Sequence, residues 1–155
     1  MRLKQAESAA DIDGARELFK EYAAWLDVDL YFQGFEEELR ELPGKYVPPD
    51  GRLLLASDEE GRLLGCVAMR RIEGKTCEMK RLYVRPAARG LGLGKELGAA
   101  IIAEARAAGY SRMLLDTLPR RMPPAIALYR SLGFQEIEAY YDNPIPGVLY
   151  LELML

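Results

Sequence analysis

The sequence predicts a single α/β (α+β) domain, a mixed, mostly antiparallel sheet of about seven strands flanked by four helices. Three observations carry this. The length of 155 residues suits one domain around one core. Between Leu53 and Val84, three apolar runs are separated by the turns Glu59-Glu60-Gly61 and Glu73-Gly74-Lys75, the pattern of an antiparallel meander. Helical periodicities stand before and after that meander and alternate with further strands beyond it. No internal repeat, long linker or low-complexity tract interrupts the order, so one domain is expected over 1–155.

Taken in order, Arg2 to Ala6 reads as a short strand. A helix follows to about Leu26, capped by Asp11 or Asp13, with Ile12, Ala15, Leu18, Phe19 and Tyr22 on one face. Phe35 to Leu42 is a second helix, stopped by Pro43-Gly44, and Tyr46 to Asp50 is a loop. The meander strands are Leu53 to Ala56, Leu63 to Ile72 and Thr76 to Val84. A glycine-rich loop, Arg89 to Gly94, then opens a long helix to about Ala108, which Gly109 ends. Arg112 to Asp116 is a strand. Pro123 to Leu132 is a helix with two prolines in its first turn, where missing N–H groups cost little. Two strands close the chain, one after Gly133-Phe134 and one from Val148 to Met154.

Composition removes several functions. The formal net charge of −3 gives no bulk attraction to phosphate backbones or anionic lipid, so neither nucleic acid nor membrane is expected as a partner. No apolar run approaches the roughly 18 residues of a spanning helix, and Met1 to Gln5 lacks the apolar core of a signal peptide. A cytoplasmic location is the expectation. The chain has no histidine, which removes Ser-His-Asp and Cys-His catalysis and weakens any zinc site; no metal is expected. Cys66 and Cys77 fall on neighbouring strands, opposite residues near Leu82 and Arg71, too far apart to bridge, and are expected as buried free thiols.

The informative stretch runs Leu82-Tyr83-Val84-Arg85-Pro86-Ala87-Ala88-Arg89-Gly90-Leu91-Gly92-Leu93-Gly94-Lys95. A strand ends, a loop turns, and glycines open a helix. Helix N-termini present unpaired N–H groups and partial positive charge, and glycines let a ligand approach that backbone closely, so this is an anion site for a phosphate or pyrophosphate. Gly90-x-Gly92-x-Gly94 lacks the dinucleotide-fold spacing, and no Gly-Lys-Ser/Thr follows for a nucleoside triphosphate.

Arg89-x-x-Gly92-x-Gly94 resembles the Arg/Gln-x-x-Gly-x-Gly/Ala signature of the GNAT N-acetyltransferase superfamily. Ala125-Ile126-Ala127-Leu128-Tyr129-Arg130-Ser131-Leu132-Gly133-Phe134 is similar to that family's Ala-x-x-Leu-Tyr-x-x-x-Gly-Phe helix. The resemblance covers roughly Thr76 to Phe134. It implies a sheet that splays after the third meander strand, with acetyl-coenzyme A as co-substrate in the V. The main chain of Leu82, Tyr83 and Val84 would pair with the pantetheine amides as an added strand. The amides of Arg89, Gly90, Leu91, Gly92, Leu93, Gly94 and Lys95 would cradle the pyrophosphate. One position departs from the family: Met122 stands where an asparagine often precedes the tyrosine by seven residues.

The resemblance also implies catalytic residues. Tyr129 takes the general-acid position, donating to the departing sulfur, although its helix face beside Ile126 and Leu132 also reads as core. Glu78, eleven residues before Arg89, resembles the base glutamate of histone acetyltransferases in this superfamily. Strand alternation puts it on one face with Lys80, Leu82 and Val84. Many members use a water chain instead, so that choice stays open. Tyr22, Trp25, Tyr31, Phe32 and Tyr140 to Pro144 fall in the regions that wall the acceptor pocket. The expected reaction is acetyl transfer by direct attack of a primary amine on a small molecule that also carries a carboxylate, such as an amino acid, with Arg70, Arg71 and Arg81 available to receive it. Protein or peptide acetylation, or an inactive coenzyme-binding module, is the alternative. A homodimer is left open.

Overall fold

Strand β1 (Arg2–Gln5) and helix α1 (Ala9–Leu26) open the computed structural model, which describes residues 1–26, 30, 34–119 and 123–155. The α1 cap differs from the expected one. Ser8 Oγ accepts the Asp11 N–H at 3.1 Å, while Asp11 Oδ2 accepts the N–H groups of Glu7 and Ser8 at 3.1 and 3.2 Å. Asp11 therefore closes a capping box from the third helical position, and Asp13 is left to pair with Arg16 at 2.8 Å. Helix α2 (Phe35–Glu41) follows, then a single 3₁₀ turn at Gly44–Tyr46 where the sequence reading began a loop.

The remaining elements fall close to their expected places. They are β2 (Arg52–Ser57), β3 (Leu63–Glu73), β4 (Thr76–Val84), α3 (Leu93–Ala107), β5 (Arg112–Thr117), α4 (Pro123–Ser131), β6 (Gln135–Ile137) and β7 (Leu149–Met154). A 3₁₀ turn at Pro86–Ala88 joins β4 to the glycine loop. Gly109 follows α3 with φ 92°, the left-handed stop expected of it.

The strands form one seven-stranded sheet in the order β1-β2-β3-β4-β5-β7-β6. Only the β4–β5 pair is parallel. Both faces are covered, which is why β2 reads as a continuous apolar run. Leu53, Leu55, Cys66, Ala68 and Tyr83 pack with Leu18, Phe19 and Tyr46 on the face of α1 and α2. Leu54, Val67, Met69, Met79 and Leu82 pack with Leu97, Ile101 and Tyr129 on the face of α3 and α4. The two helices of that second face approach closely: a Cβ on Gly98 would lie 2.7 Å from Leu132 Cδ1.

Two features of β4 position the site. Its parallel pairing with β5 covers only Thr76–Glu78 against Arg112–Leu114, after which the strands part. The splay expected from the resemblance is present, and among the described residues this edge of β4 has no strand partner from Met79 onward. The second feature is a bulge. Ala68 lies opposite Lys80 but Cys66 lies opposite Tyr83, so β4 carries one extra residue there, and Arg81 has φ 61°. The expected alternation fails at this point. Glu78 and Lys80 face the α1 and α2 side, whereas Leu82 and Val84 face α3, because the extra residue flips the register of everything after it.

Cys77 lies opposite Arg71, as expected, and Cys66 opposite Tyr83, one residue beyond the expected Leu82 because of the bulge. Both are free and buried, and burial pushes each thiol up to about 12, which leaves them protonated and inert.

Candidate active site

The glycine loop is held at both ends. Arg85, at the end of β4, donates from Nη2 and Nε to Glu21 at 2.7 and 3.1 Å and reaches Glu17 at 3.0 Å, tying the loop to α1. Arg89 donates from Nε to the Val84 carbonyl at 3.0 Å, and its guanidinium lies 4.5 Å from the centroid of the Trp25 ring. Gly90 and Gly92 have φ 82° and 77°, a region that side-chain-bearing residues enter only with strain. The first helical hydrogen bond of α3 runs from the Glu96 N–H to the Gly92 carbonyl at 3.1 Å. The N–H groups of Leu93, Gly94 and Lys95 therefore precede it and point out of the helix start. No side chain caps this end.

From that loop an apolar groove runs between the free edge of β4 and α4. Leu82, Tyr83 and Val84 form one wall, Gly94, Ala125 and Leu128 the other, and Trp25 stands over it. A Cβ on Gly94 would lie 3.4 Å from Leu128 Cδ2, so this glycine sets how closely α3 approaches α4. At its inner end, Leu82 joins the groove to a smaller cavity walled by Tyr129, Met79, Leu115, Asp116 and Thr117. Tyr129 is buried against Phe134, with ring centroids 5.9 Å apart, and its hydroxyl bonds no described residue. Burial, then the neighbouring Tyr22 and Asp116, push its proton affinity well above that of an ordinary tyrosine.

Tyr22, Arg81, Asp116 and Thr117 also line a second pocket, which continues toward Asn143, Ile145 and Val148 of the β6–β7 connection and Leu30. Arg81 forms part of its wall as a fixed cation. Its Nε donates to Glu38 Oε2 at 2.9 Å and its Nη2 to Glu38 Oε1 at 3.2 Å. The Tyr22 and Phe35 rings flank the guanidinium at 5.8 and 5.2 Å. Burial works against both charges of this pair, yet the neighbours together win: Arg81, with Lys80 and Tyr46, holds the Glu38 carboxyl below its ordinary range, and Glu38, with Tyr46 and Tyr22, holds the guanidinium above its own. Asp116 forms another part of the wall. Its Oδ2 accepts from the Tyr141 hydroxyl and from Asn143 Nδ2. Thr117 is 5% exposed, and its Oγ1 has no hydrogen-bond partner among the described residues.

Glu78 stands elsewhere. It lines a separate polar cleft of about 330 Å³ with Lys45, Arg70, Lys80 and Tyr140. Arg70 Nε donates to its Oε1 at 2.9 Å and the Tyr140 hydroxyl to its Oε2 at 2.6 Å, with Lys80 Nζ 3.9 Å away. The structure does not bring it into the cavity of Tyr129. Lys80 borders both spaces, and burial with the nearby Arg81 lowers its pKa to about 8.

Of the arginines expected to face a carboxylate, Arg70 is taken up by Glu78, Arg71 is exposed, and Arg81 lines the site. Of the residues expected to wall the acceptor pocket, Tyr22 and Asn143 line the second pocket, Trp25 lines the apolar groove, Tyr140, Tyr141 and Asp142 line the cleft of Glu78, and Tyr31 and Phe32 lie outside the described residues, as does Met122. Sequence reasoning missed Glu38, Asp116 and Thr117. A signal existed for the last two: a polar pair closes the apolar run Met113-Leu114-Leu115 where its strand parts from β4.

The profile of the Acetyltransferase (GNAT) family matches residues 14–134. An uncharacterized N-acetyltransferase of Schizosaccharomyces pombe is 49% identical over 144 residues, 92% of this chain and 88% of that protein. An N-acetylaspartate synthetase of Danio rerio is 31% identical over 112 residues, 72% of this chain and 39% of that protein. In fold, the crystal structure of an acetyltransferase from Streptococcus agalactiae superposes with a TM-score of 0.80 over 99% of this chain and 98% of that one, at 23% identity.

Proposed function

Because the chain belongs to the acetyltransferase (GNAT) family and is an acyl-CoA-dependent N-acetyltransferase, we propose that it transfers the acetyl group of acetyl-CoA by direct attack of a primary amine on a small molecule that also carries a carboxylate, such as an amino acid. The observation that carries this reading is the pair of joined pockets. The cavity of Tyr129 shares Tyr22, Arg81, Asp116 and Thr117 with the adjoining pocket, so opposite charges, Arg81 and Asp116, stand in the walls of both. A zwitterion suits such a wall, because each of its charged ends finds an opposite charge. The relative named N-acetylaspartate synthetase is consistent with an amino-acid acceptor, its named product being an N-acetylated amino acid.

The residues present fit the coenzyme. The edge of β4 at Leu82, Tyr83 and Val84, past the end of its pairing with β5, suits an extended pantetheine arm lying alongside it, and the groove beside it is apolar enough for the arm's methylenes. The outward N–H groups from Gly90 to Lys95 suit a pyrophosphate, with Arg89 shaping the loop through Val84 and Trp25. When bound, acetyl-CoA supplies the activated acetyl thioester. Tyr129 keeps its proton throughout the working pH range and donates it to the leaving sulfur. Arg81, whose Nε and Nη2 donate to Glu38, sets positive charge in the wall against which the acceptor carboxylate lies. Glu78 holds Arg70 and Tyr140 at the neighbouring cleft. Cytoplasmic work belongs to the same proposal; among the described residues no helix is long and apolar enough to cross a membrane.

The test is thiol release from acetyl-CoA with amino acids, their decarboxylated amines and short peptides. Acetylation of amino acids above the other two classes supports the reading, and activity on peptides alone overturns it.

A further inference from the structure

Resting on the acetyl-transfer reading above, we infer that Asp116 is the catalytic carboxylate that receives the acceptor's ammonium and takes its proton, and that Tyr141 and Asn143 are its positioning residues. The place comes first. Asp116 lines the same cavity as Tyr129 and also the adjoining pocket, so the carboxylate stands in the wall that the two spaces share, beside the acid. Glu78 lines neither.

Charge is the second argument. The buried carboxylates Glu38 and Glu78 each have a cation within 4.0 Å, Arg81 and Lys45 for one, Arg70 and Lys80 for the other. Among the described residues Asp116 has none. Its Oδ2 accepts from a phenol and an amide, neutral donors that aim the carboxylate without an ion pair. A half-buried carboxylate on a cavity wall without a cation is a receptor for one. The adjacent Thr117 Oγ1, buried and without a partner among the described residues, supplies a further polar atom on the same wall that a ligand would satisfy.

Tyr141 is in turn fixed by Asn143, whose Nδ2 lies 2.8 Å from the phenol oxygen, and Asn143 by its own Oδ1, which accepts the Ile145 N–H at 2.9 Å. The β6–β7 connection thus acts on the chemistry through Asp116.

The proton account closes. Asp116 takes one proton from the ammonium and passes it to solvent. The freed nitrogen lone pair forms the C–N bond as the C–S bond breaks and its electron pair leaves with sulfur. Tyr129 gives its proton to that sulfur and regains one from the nitrogen. The groups whose charge or ionisation bears on Asp116 are Tyr22 of α1, Lys80 and Arg81 of β4, Tyr129 of α4, Tyr140 and Tyr141 of the connection, and Tyr150 of β7. The tyrosines are all held protonated above their ordinary range, so none of them changes charge on the acidic side of neutrality.

The experiment uses Asp116→Asn and Tyr141→Phe with the best acceptor found among amino acids and their decarboxylated amines. The kcat/KM of Asp116→Asn is expected to fall about 10²-fold at pH 7, the loss shrinking as pH rises toward the acceptor's own pKa and solvent does the deprotonation. Calorimetric binding of that acceptor to the protein holding coenzyme A should weaken about tenfold or more, and Tyr141→Phe should show the same changes, smaller. A wild-type pH profile with unchanged acceptor binding in Asp116→Asn overturns the assignment while leaving acetyl transfer in place. If Asp116→Asn does not fold, Tyr141→Phe decides, an unchanged pH profile being the contrary result. Failure of the wild-type protein to acetylate any amine of the panel removes the acetyl-transfer reading and this assignment together.

Discussion

Arg81 sits at the β4 bulge with φ 61° and donates two hydrogen bonds to Glu38, at 2.9 and 3.2 Å, with both side chains at least 95% shielded from solvent. One ion pair thus ties α2 to the strand distortion that opens the cleft. Tyr46 donates its hydroxyl to the same carboxylate at 2.9 Å, and Lys45 stands 3.6 Å away.

Glu38→Gln should therefore cost about 3–5 kcal/mol, the range for leaving a buried charge without its partner, measured by urea denaturation. The pH dependence has a definite sign. Glu38 has a lowered folded-state pKa, so its contribution is full above the ordinary value of 4.5 and is lost as pH falls through the lower folded value. Wild-type protein should lose stability over that acidic range, and the variant should lose less.

Gly92→Asp should abolish the rise in Tm that acetyl-CoA produces. A Cβ at this position meets nothing within 4 Å, so the effect comes from φ 77° and from negative charge beside the pyrophosphate amides. Gly92→Ala isolates the backbone term. It should cost about 1–2 kcal/mol of stability and keep part of the Tm shift.

Tyr129→Phe should lower turnover by about 10²-fold or less with coenzyme affinity little changed, since thiolate is already a fair leaving group. Burial raises the proton affinity of Tyr129, so loss of its proton should leave no alkaline limb below the ordinary tyrosine value of 10.0 in the wild-type profile. Single-turnover rates against pH check both statements.

Glu78→Gln should leave the shape of the pH–rate profile unchanged. Its carboxylate is already engaged by Arg70 and Tyr140, outside the cavity of Tyr129. An amide that accepts from only one oxygen should instead raise the acceptor KM or lower stability by about 1–3 kcal/mol.

The legible parts of this chain are those written in local pattern. The meander, the glycine loop, the long helix and its Gly109 stop follow from periodicity and turn chemistry, and the two motifs around Arg89 and Tyr129 pointed to the coenzyme groove. What escaped is long-range. The extra residue at Arg81 breaks no local rule, yet it moves Leu82 and Val84 to the opposite face from Glu78 and Lys80. Glu38 looks like one of three solvated glutamates in the first turn of a short helix, and only its partner 43 positions away makes it buried. Asp116 reads as the polar end of a strand until the splay and the β6–β7 connection place it beside Tyr129.

The central claim is that one pair of joined pockets brings an amine that carries a carboxylate to an acetyl thioester. The most direct test is thiol release from acetyl-CoA, comparing each amino acid with its own decarboxylated amine at matched concentration. The account predicts kcat/KM for the amino acid higher by about tenfold or more, the scale of one charge-assisted hydrogen-bonded contact. Equal or faster reaction of the decarboxylated amines would contradict it.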